Sequence, residues 1–173
     1  VFGSYMDIYQ PAEDSYLLQK HVKKLSNGKV LDIGTGSGIQ ALSVIGKPEV
    51  KEIIAVDINP NAVSELKKRS KLFKKFKVIQ SDLFSAIDQK FDTIIFNAPY
   101  LPQDYIAGEP IIDPALYGGK HGWEILKRFF SDLNGYLEYG GDVLVLFSSY
   151  TDKQKIDEII AHNMYEFELL DEE

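Results

Sequence analysis

Short runs of Val and Ile alternate along the chain with stretches in which apolar residues recur every three or four positions. The first pattern is typical of buried strands and the second of amphipathic helices. The predicted strands are Lys29–Ile33, Lys51–Asp57, Lys77–Gln80, Phe91–Asn97, Asp142–Ser148 and Glu166–Leu170. The predicted helices are Ala12–Leu25, Gly38–Gly46, Asn61–Phe73, Gly122–Leu137 and Asp152–Met164.

This alternation predicts a doubly wound α/β fold, in which right-handed crossovers join mostly parallel strands and helices cover both faces as three α/β/α layers. The 173 residues have the size of one domain, so we expect residues 1–173 to form a single domain. One segment, Ala98–His121, breaks the alternation with several prolines and glycines. Long loops inside a compact domain are usually functional, so this segment is the predicted substrate loop.

Composition excludes several function classes. The chain has no cysteine and three scattered histidines, so we expect neither disulfides nor a metal site. Its longest apolar run is Val143–Phe147, whereas a membrane-spanning helix needs about 20 residues. No signal peptide is visible at the amino terminus. We therefore expect no membrane partner and a cytoplasmic location.

Charge is distributed unevenly, with net +4 over residues 1–86 and −11 over residues 87–173. The acidic second half argues against a nucleic-acid partner, which would normally meet a basic face. The exception is Lys67–Lys77, which contains seven Lys or Arg residues. This basic run fits either a solvated helix face or a contact with RNA or an acidic partner.

Ligands of doubly wound sheets bind at the carboxyl ends of the strands, where this chain carries its most distinctive residues. The first predicted strand ends in Asp32-Ile33-Gly34-Thr35-Gly36-Ser37-Gly38, and glycines allow close approach of backbone to a ligand. The third glycine comes one residue earlier than in a dinucleotide fingerprint. Asp32 would also repel a pyrophosphate. A ligand with a cationic amino group and no phosphate, such as S-adenosylmethionine, fits this loop better.

Acidic residues follow the next two strands. Asp57 ends the second strand, where a carboxylate can accept hydrogen bonds from both ribose hydroxyls. Asp82 follows the third strand and could accept one from an adenine amine, beside the backbone of Leu83. The ribose contact by itself would fit NAD equally well.

The fourth strand ends in Asn97-Ala98-Pro99-Tyr100. Asn97 can offer its side-chain carbonyl, and Ala98 can offer an extended backbone carbonyl because Pro99 keeps its predecessor out of helical geometry. Two neighbouring acceptors can hold both hydrogens of a planar NH2 group. Tyr100 could pack against that group.

Two further motifs are Ile8-Tyr9-Gln10-Pro11-Ala12-Glu13-Asp14-Ser15-Tyr16-Leu17-Leu18 and Ala115-Leu116-Tyr117-Gly118-Gly119-Lys120-His121-Gly122. Together with the strand-end motifs, they resemble the HemK-like release-factor glutamine methyltransferases of archaeal and eukaryotic type. That family is a Rossmann-like branch of the class I S-adenosylmethionine-dependent methyltransferases. The resemblance implies methylation of the glutamine side-chain amide in the Gly-Gly-Gln motif of a class 1 translation release factor. It implies cofactor contacts by Ser15, Asp32, Gly34, Gly36, Gly38, Asp57, Asp82, Leu83 and Asn97, and catalytic roles for Asn97, Ala98, Pro99 and Tyr100.

The resemblance also implies a partner, and the chain departs from the family pattern at two places. The family forms a heterodimer with a small zinc-binding activator protein along the third-strand edge, which here lies near Phe76 and Val78. The family usually has Asn-Pro-Pro-Tyr where this chain has Ala98, but the substitution keeps the backbone carbonyl that would bind the substrate. The family also continues past the position of Glu173 into a last antiparallel strand.

Several other functions remain open from the residues alone. An adenine-specific DNA methyltransferase uses the same tetrapeptide to hold the exocyclic amine of a flipped base, although it usually adds a recognition region and a basic surface. A protein lysine methyltransferase can use the same fold. A non-catalytic cofactor-binding scaffold and an NAD-dependent oxidoreductase are the alternatives from other classes.

Overall fold

The structure is a computed structural model that describes residues 8–102, 117–149 and 151–172. The chain divides into two compact units, residues 1–97 with 135–146 and residues 98–134 with 147–173. The first unit contains α1 (Glu13–Leu25), β1 (Gly28–Ile33), α2 (Ile39–Ser43), β2 (Val50–Asp57), α3 (Pro60–Ser70), β3 (Phe76–Gln80), β4 (Phe91–Asn97) and β7 (Leu137–Leu146). The second contains β5 (Leu101–Pro102), β6 (Tyr117–Gly119), α4 (Glu124–Asp132) and α5 (Lys153–His162).

The sheet of the first unit has the order β3-β2-β1-β4-β7, and every pair is parallel. β1 pairs with β2 on one side and with β4 on the other, so the strand order reverses beside β1. Such a reversal opens a crevice at the carboxyl ends of the strands, where ligands of these sheets bind. The predicted doubly wound, parallel α/β architecture is confirmed.

The core of the first unit follows from the alternation of side chains along its strands. Val30, Ile53 and Phe76 lie side by side in register and point to the same face of the sheet. Apolar residues of α1, α2 and α3 pack against this face. On the alternate positions Leu31 and Ile94 are also buried, as expected for strands covered on both faces.

The second unit begins directly after β4 and includes the whole predicted substrate loop. The loop is not wholly irregular, because Leu101 pairs with Tyr117 and Pro102 with Gly119 in a short parallel ladder. The loop residues 103–116 lie outside the described residues. None of the helices in the described ranges is long and apolar enough to span a membrane.

Two predictions near the carboxyl terminus are wrong. The strand predicted at Glu166–Leu170 is absent, because no residue between 163 and 172 pairs with a neighbouring strand, and Phe167 and Leu169 are exposed. Alternating acidic and apolar residues resemble a half-buried strand, but a strand forms only where another strand takes its hydrogen bonds. The helix predicted at Gly122–Leu137 ends earlier, and β7 starts at Leu137 with a register irregularity near Gly140, which has φ +74°.

Candidate active site

Three of the predicted site residues project from the same face at the carboxyl edge of the sheet. Asp32 of β1 is in register with Ala55 of β2 and with Ile95 of β4. Asp57 and Asn97 each lie two residues farther along their strands and therefore point to the same face. The parallel register thus brings side chains that are distant in sequence to one edge.

The glycine-rich turn after β1 is shaped by left-handed backbone at Gly34 (φ +63°), Gly36 (φ +52°) and Gly38 (φ +81°). Residues with a Cβ adopt this conformation only with strain. The Gly36 N–H donates to Asp57 Oδ2 over 2.8 Å, and the Thr35 N–H donates to the Val56 carbonyl over 3.0 Å. The turn is therefore attached to the end of β2.

Gly38 has a packing role in this turn. A Cβ at this position would lie 2.5 Å from Leu66 Cδ1 of α3, closer than side-chain atoms approach each other. Gly38 also immediately precedes α2. The glycine therefore allows α2 and α3 to approach, a requirement that is independent of any ligand.

Asp32 is almost completely buried, with 1% of its surface exposed. Its Oδ2 accepts hydrogen bonds from Thr35 Oγ1 over 2.6 Å and from the Ala41 N–H over 3.1 Å. Burial raises the pKa of this carboxyl to about 7, because these two hydrogen bonds only partly compensate for the loss of water. Burial therefore favours the protonated form of Asp32 to a higher pH than for a carboxyl in water.

Both carboxylate oxygens of Asp57 accept backbone hydrogen bonds. Oδ2 accepts from the Gly36 N–H and Oδ1 from the Asn59 N–H, each over 2.8 Å. Partial burial raises the pKa of this carboxyl, and the backbone donors oppose that rise. Asp57 therefore organises the turn while remaining partly accessible at the end of β2.

The turn after β3 places Asp82 at the surface and Leu83 in an unusual conformation. Leu83 has φ +48°, which is uncommon for a residue with a bulky side chain. Its carbonyl accepts a hydrogen bond from Ser81 Oγ over 2.8 Å. Strained backbone of this kind often occurs at functional sites, and the place of Leu83 beside a ligand stays a prediction.

A cleft lies at the carboxyl edge of β1 and β4, and all of its lining residues belong to the first unit. Of the predicted cofactor residues, Gly38, Asp57, Asp82 and Leu83 lie outside its lining. In the described part of the chain, no three His, Asp or Glu side chains are grouped to hold a metal ion. The cleft is lined by the predicted Ser15, Asp32, Gly34, Gly36 and Asn97, and by Tyr9, Thr35, Ser37, Ile39 and Gln40.

Asn97 is held in a defined orientation by the start of α1. Its Nδ2 donates to Asp14 Oδ2 over 3.0 Å, and the Tyr9 hydroxyl donates to Asp14 Oδ1, also over 3.0 Å. Asn97 Oδ1 is buried and has no hydrogen-bond partner among the described residues. The side-chain carbonyl that sequence analysis singled out is therefore an acceptor without a donor.

Three residues of the site, Tyr9, Asp14 and Gln40, were not among the predicted site residues. Tyr9 and Asp14 lie within the amino-terminal motif that carried the family resemblance, so a signal was present. Asp14 fits equally well as a residue that stabilises the start of a helix. Its contact with Asn97 joins residues 83 positions apart, which local patterns do not reveal.

Close packing within the second unit requires two glycines of the motif 115–122. Residues 115 and 116 of this motif lie outside the described residues. A Cβ at Gly118 would lie 2.7 Å from the Pro99 carbonyl oxygen, and one at Gly122 would lie 2.6 Å from the Tyr100 carbonyl oxygen. Both contacts are with backbone, which cannot move aside easily. These glycines let the chain pack closely against the predicted substrate-binding segment.

Replacing Asp32 by Asn is expected to reduce the pH dependence of stability in the ligand-free protein. The folded protein keeps the Asp32 proton up to a pKa of about 7, whereas the unfolded chain loses it near the ordinary aspartate pKa of 3.8. Between these values the folded state binds more protons. The free energy of unfolding therefore falls as pH rises, by up to roughly 1.4 kcal/mol per pH unit from this group.

Urea unfolding of both proteins across about pH 4 to 8 measures this effect. The pKa of Asp57 is raised in the same direction, but Asp57 is present in both proteins. Only the difference between the two pH profiles is therefore assigned to Asp32. Parallel profiles would contradict the buried, protonated carboxyl.

Comparison with known proteins identifies the family. The protein-family model described as the methyltransferase small domain matches residues 12–173 of the sequence. A Methanocaldococcus jannaschii protein provisionally named a protein N5-glutamine methyltransferase is 42% identical over 156 residues, which cover 88% of this chain and 79% of that protein. The methyltransferase HEMK2 of Homo sapiens is 31% identical over 144 residues, which cover 74% of this chain and 65% of that protein.

A release factor glutamine methyltransferase of Deinococcus radiodurans is 28% identical over 75% of this chain and 49% of its own length. The chain thus spans about half the length of that bacterial relative.

Among solved structures, the ribosomal protein L11 methylase of Lactobacillus delbrueckii subsp. bulgaricus matches 94% of this chain and 74% of its own, with a TM-score of 0.68 and 22% identity. At that identity the likeness shows a shared Rossmann-like methyltransferase fold and no more. The predicted resemblance is confirmed, and the chain belongs to the methyltransferase small domain family, with relatives named as protein-glutamine methyltransferases.

Proposed function

We propose that this protein uses S-adenosylmethionine to methylate the side-chain amide nitrogen of the glutamine in the Gly-Gly-Gln motif of a class 1 release factor. Family membership and the names of the relatives support this proposal. Residues 1–173 would act as a single methyltransferase domain, since the family match extends over both units. The proposed location is the cytoplasm, where translation ends.

The buried, unpartnered Oδ1 of Asn97 carries the proposal. A buried acceptor without a donor is costly, and native proteins leave few of them unpaired. Nδ2 is already engaged by Asp14, so Oδ1 is the atom that Asn97 offers to a ligand. A planar NH2 group would donate one hydrogen to this oxygen and the other to the Ala98 carbonyl.

The donors and acceptors of the site fit S-adenosylmethionine. When bound, this cofactor supplies a reactive methyl group on a positively charged sulfur. Asp32 would attract its cationic amino-acid end beside Ser15 and Gly34, which line the same cleft. Asp57 would accept from the ribose hydroxyls, and Asp82 with Leu83 would border the adenine.

Asn97 and its neighbours would promote methyl transfer by positioning. An amide nitrogen is a weak nucleophile because its lone pair is delocalised into the carbonyl. Correct alignment can contribute about 7–11 kcal/mol in favourable cases. The oxygens of Asn97 and Ala98 would also stabilise positive charge that develops on the nitrogen. Pro99 would keep the Ala98 carbonyl in place, and Tyr100 would pack against the amide.

A methyl-transfer assay with labelled S-adenosylmethionine tests the substrate class. The protein is co-expressed with the expected small zinc-binding activator and is offered a class 1 release factor or duplex DNA. The modified residue is mapped by mass spectrometry. We expect label on the Gly-Gly-Gln glutamine. Label on DNA adenine would contradict the proposed substrate. So would a release factor that stays unlabelled although the protein binds the cofactor tightly.

Replacing Asn97 by Ala is expected to lower the rate of methyl transfer by about a hundredfold or more, because the acceptor that orients the amide is lost. Cofactor affinity, measured by calorimetry, should change little. Asn27→Ala is a matched control, since Asn27 lies exposed before β1 and its Nδ2 contacts only a local carbonyl, that of Leu25. Equal loss of transfer and cofactor binding in Asn97→Ala would refute the division of roles.

The second part of the proposal is that a small zinc-binding activator protein pairs with the β3 edge of the sheet. β3 is one of the two edge strands of the described sheet, and exposed strand edges favour pairing with another chain. Phe76 and Val78 are buried, so their side chains belong to the core and only their backbone could contribute to this interface. Leu72 is 78% exposed and Phe73 38% exposed just before β3, which would add apolar surface.

The basic run 67–77 favours a solvated face over a nucleic-acid contact. Lys77 pairs with Glu52, and Lys68 pairs with Glu65. Lys75 donates to the carbonyls of Lys47 and Val50, a contact that ties the start of β3 to the loop before β2. Several of these cations therefore have structural partners within the chain.

Leu72→Glu is expected to weaken activator binding by about tenfold or more, because it places a charge within an apolar contact. Co-purification and calorimetry with the purified activator measure the change. Leu169→Glu, at a position 67% exposed in the second unit, is the matched control and should bind normally. A fully active monomer that does not bind the activator would refute this part of the proposal.

A further inference from the structure

Gln40, a residue that lines the candidate active-site cleft, carries a second buried acceptor that none of the roles above uses. Among the described residues, the buried side-chain atoms without a hydrogen-bond partner are Ser26 Oγ, Gln40 Oε1, Asn97 Oδ1 and Tyr165 Oη. Gln40 and Asn97 line the same cleft. Two unpartnered acceptors on residues that line one cleft indicate a ligand that brings hydrogen-bond donors to both.

The orientation of the Gln40 amide follows from its other atom. Gln40 Nε2 donates to the Ser15 carbonyl of α1 over 2.9 Å, and the residue is only 3% exposed. Because a carbonyl oxygen can only accept, the nitrogen must face Ser15. Oε1 is therefore the atom of Gln40 that remains for a ligand.

Gln40 lies next to the part of the cleft that is expected to attract a cation. The N–H of the following residue, Ala41, donates to Asp32 Oδ2, so the backbone beside Gln40 contacts the buried carboxylate directly. A protonated amine carries three N–H donors and is best satisfied by a carboxylate together with neutral acceptors. Asp32 and Gln40 supply that combination.

We propose that Gln40 is a cofactor-binding residue whose Oε1 accepts a hydrogen bond from the ammonium group at the amino-acid end of S-adenosylmethionine. This inference rests on the proposed function and adds a residue to its cofactor site. In the proposed site, Asn97 Oδ1 accepts from the substrate amide. The ribose hydroxyls and the adenine amine donate to Asp57 and Asp82, which both lie outside the cleft lining. The ammonium is the cofactor donor that remains.

Calorimetry with two adenosine thioethers tests the role of Gln40. S-adenosylhomocysteine carries the amino-acid group, and 5′-methylthioadenosine lacks it. Gln40→Met keeps a side chain of similar length but removes both the acceptor and the Nε2 donor to the Ser15 carbonyl, a donor that Gln40→Glu also lacks when its carboxyl is ionised. We expect it to lower the affinity for S-adenosylhomocysteine by about tenfold or more and to leave that for methylthioadenosine unchanged.

Two further variants control the measurement. Gln19→Met removes a glutamine of α1 that donates to the Ile39 carbonyl and lies outside the cleft, so both affinities should stay unchanged. Gln40→Glu keeps an acceptor oxygen and should retain the preference for S-adenosylhomocysteine. Because each result is a ratio of two affinities for one variant, a reduced folded fraction cancels.

Three results would overturn this inference. Gln40→Met could lose affinity equally for both thioethers, or it could lose affinity for neither. Gln40→Glu could lose the preference for S-adenosylhomocysteine over methylthioadenosine. In each of these cases wild-type binding of S-adenosylhomocysteine would leave the proposed function standing. Failure of the wild-type protein to bind either thioether would overturn the cofactor part of the proposed function and this inference with it.

Discussion

Parallel pairing of β1 with β2 on one side and β4 on the other determines where the chemistry of this protein can occur. The register sets Asp32 beside Ala55 and Ile95, and the residues two positions farther along those strands are Asp57 and Asn97. Because side chains alternate along a strand, all three project from one face at one edge. A slip of one residue in either pair would send Asp57 or Asn97 to the opposite face.

The same arrangement creates an environment that favours a cationic ligand with hydrogen-bond donors. Burial raises the pKa of Asp32 to about 7, so a cation bound nearby would stabilise the ionised form and be attracted by it in turn. Gln40 Oε1 and Asn97 Oδ1 are buried without donors, and both residues line the same cleft. The ligand-free protein thus bears an energetic cost that a suitable ligand would remove.

The start of α1 links the proposed cofactor and substrate parts of the site. Asp14 accepts from Asn97 Nδ2 and so turns Oδ1 toward the proposed substrate, while the carbonyl of the next residue, Ser15, holds Gln40 Nε2. Two adjacent residues of one helix therefore orient both unpartnered acceptors. This dependence explains why the amino-terminal motif belongs with the strand-end motifs, although it precedes β1 in the sequence.

The sequence by itself determined the alternating fold, the strand ends that carry Asp32, Asp57 and Asn97, and the family, since hydrophobic periodicity and glycine spacing are local signals. Only the tertiary structure decided that Asp14 orients Asn97, that Gly38 makes room for Leu66, and that Gln40 has an unpartnered oxygen. It also showed that residues 166–170 form no strand. Each of these features depends on atoms that are distant in sequence, or on a neighbouring strand, and local composition does not encode such contacts.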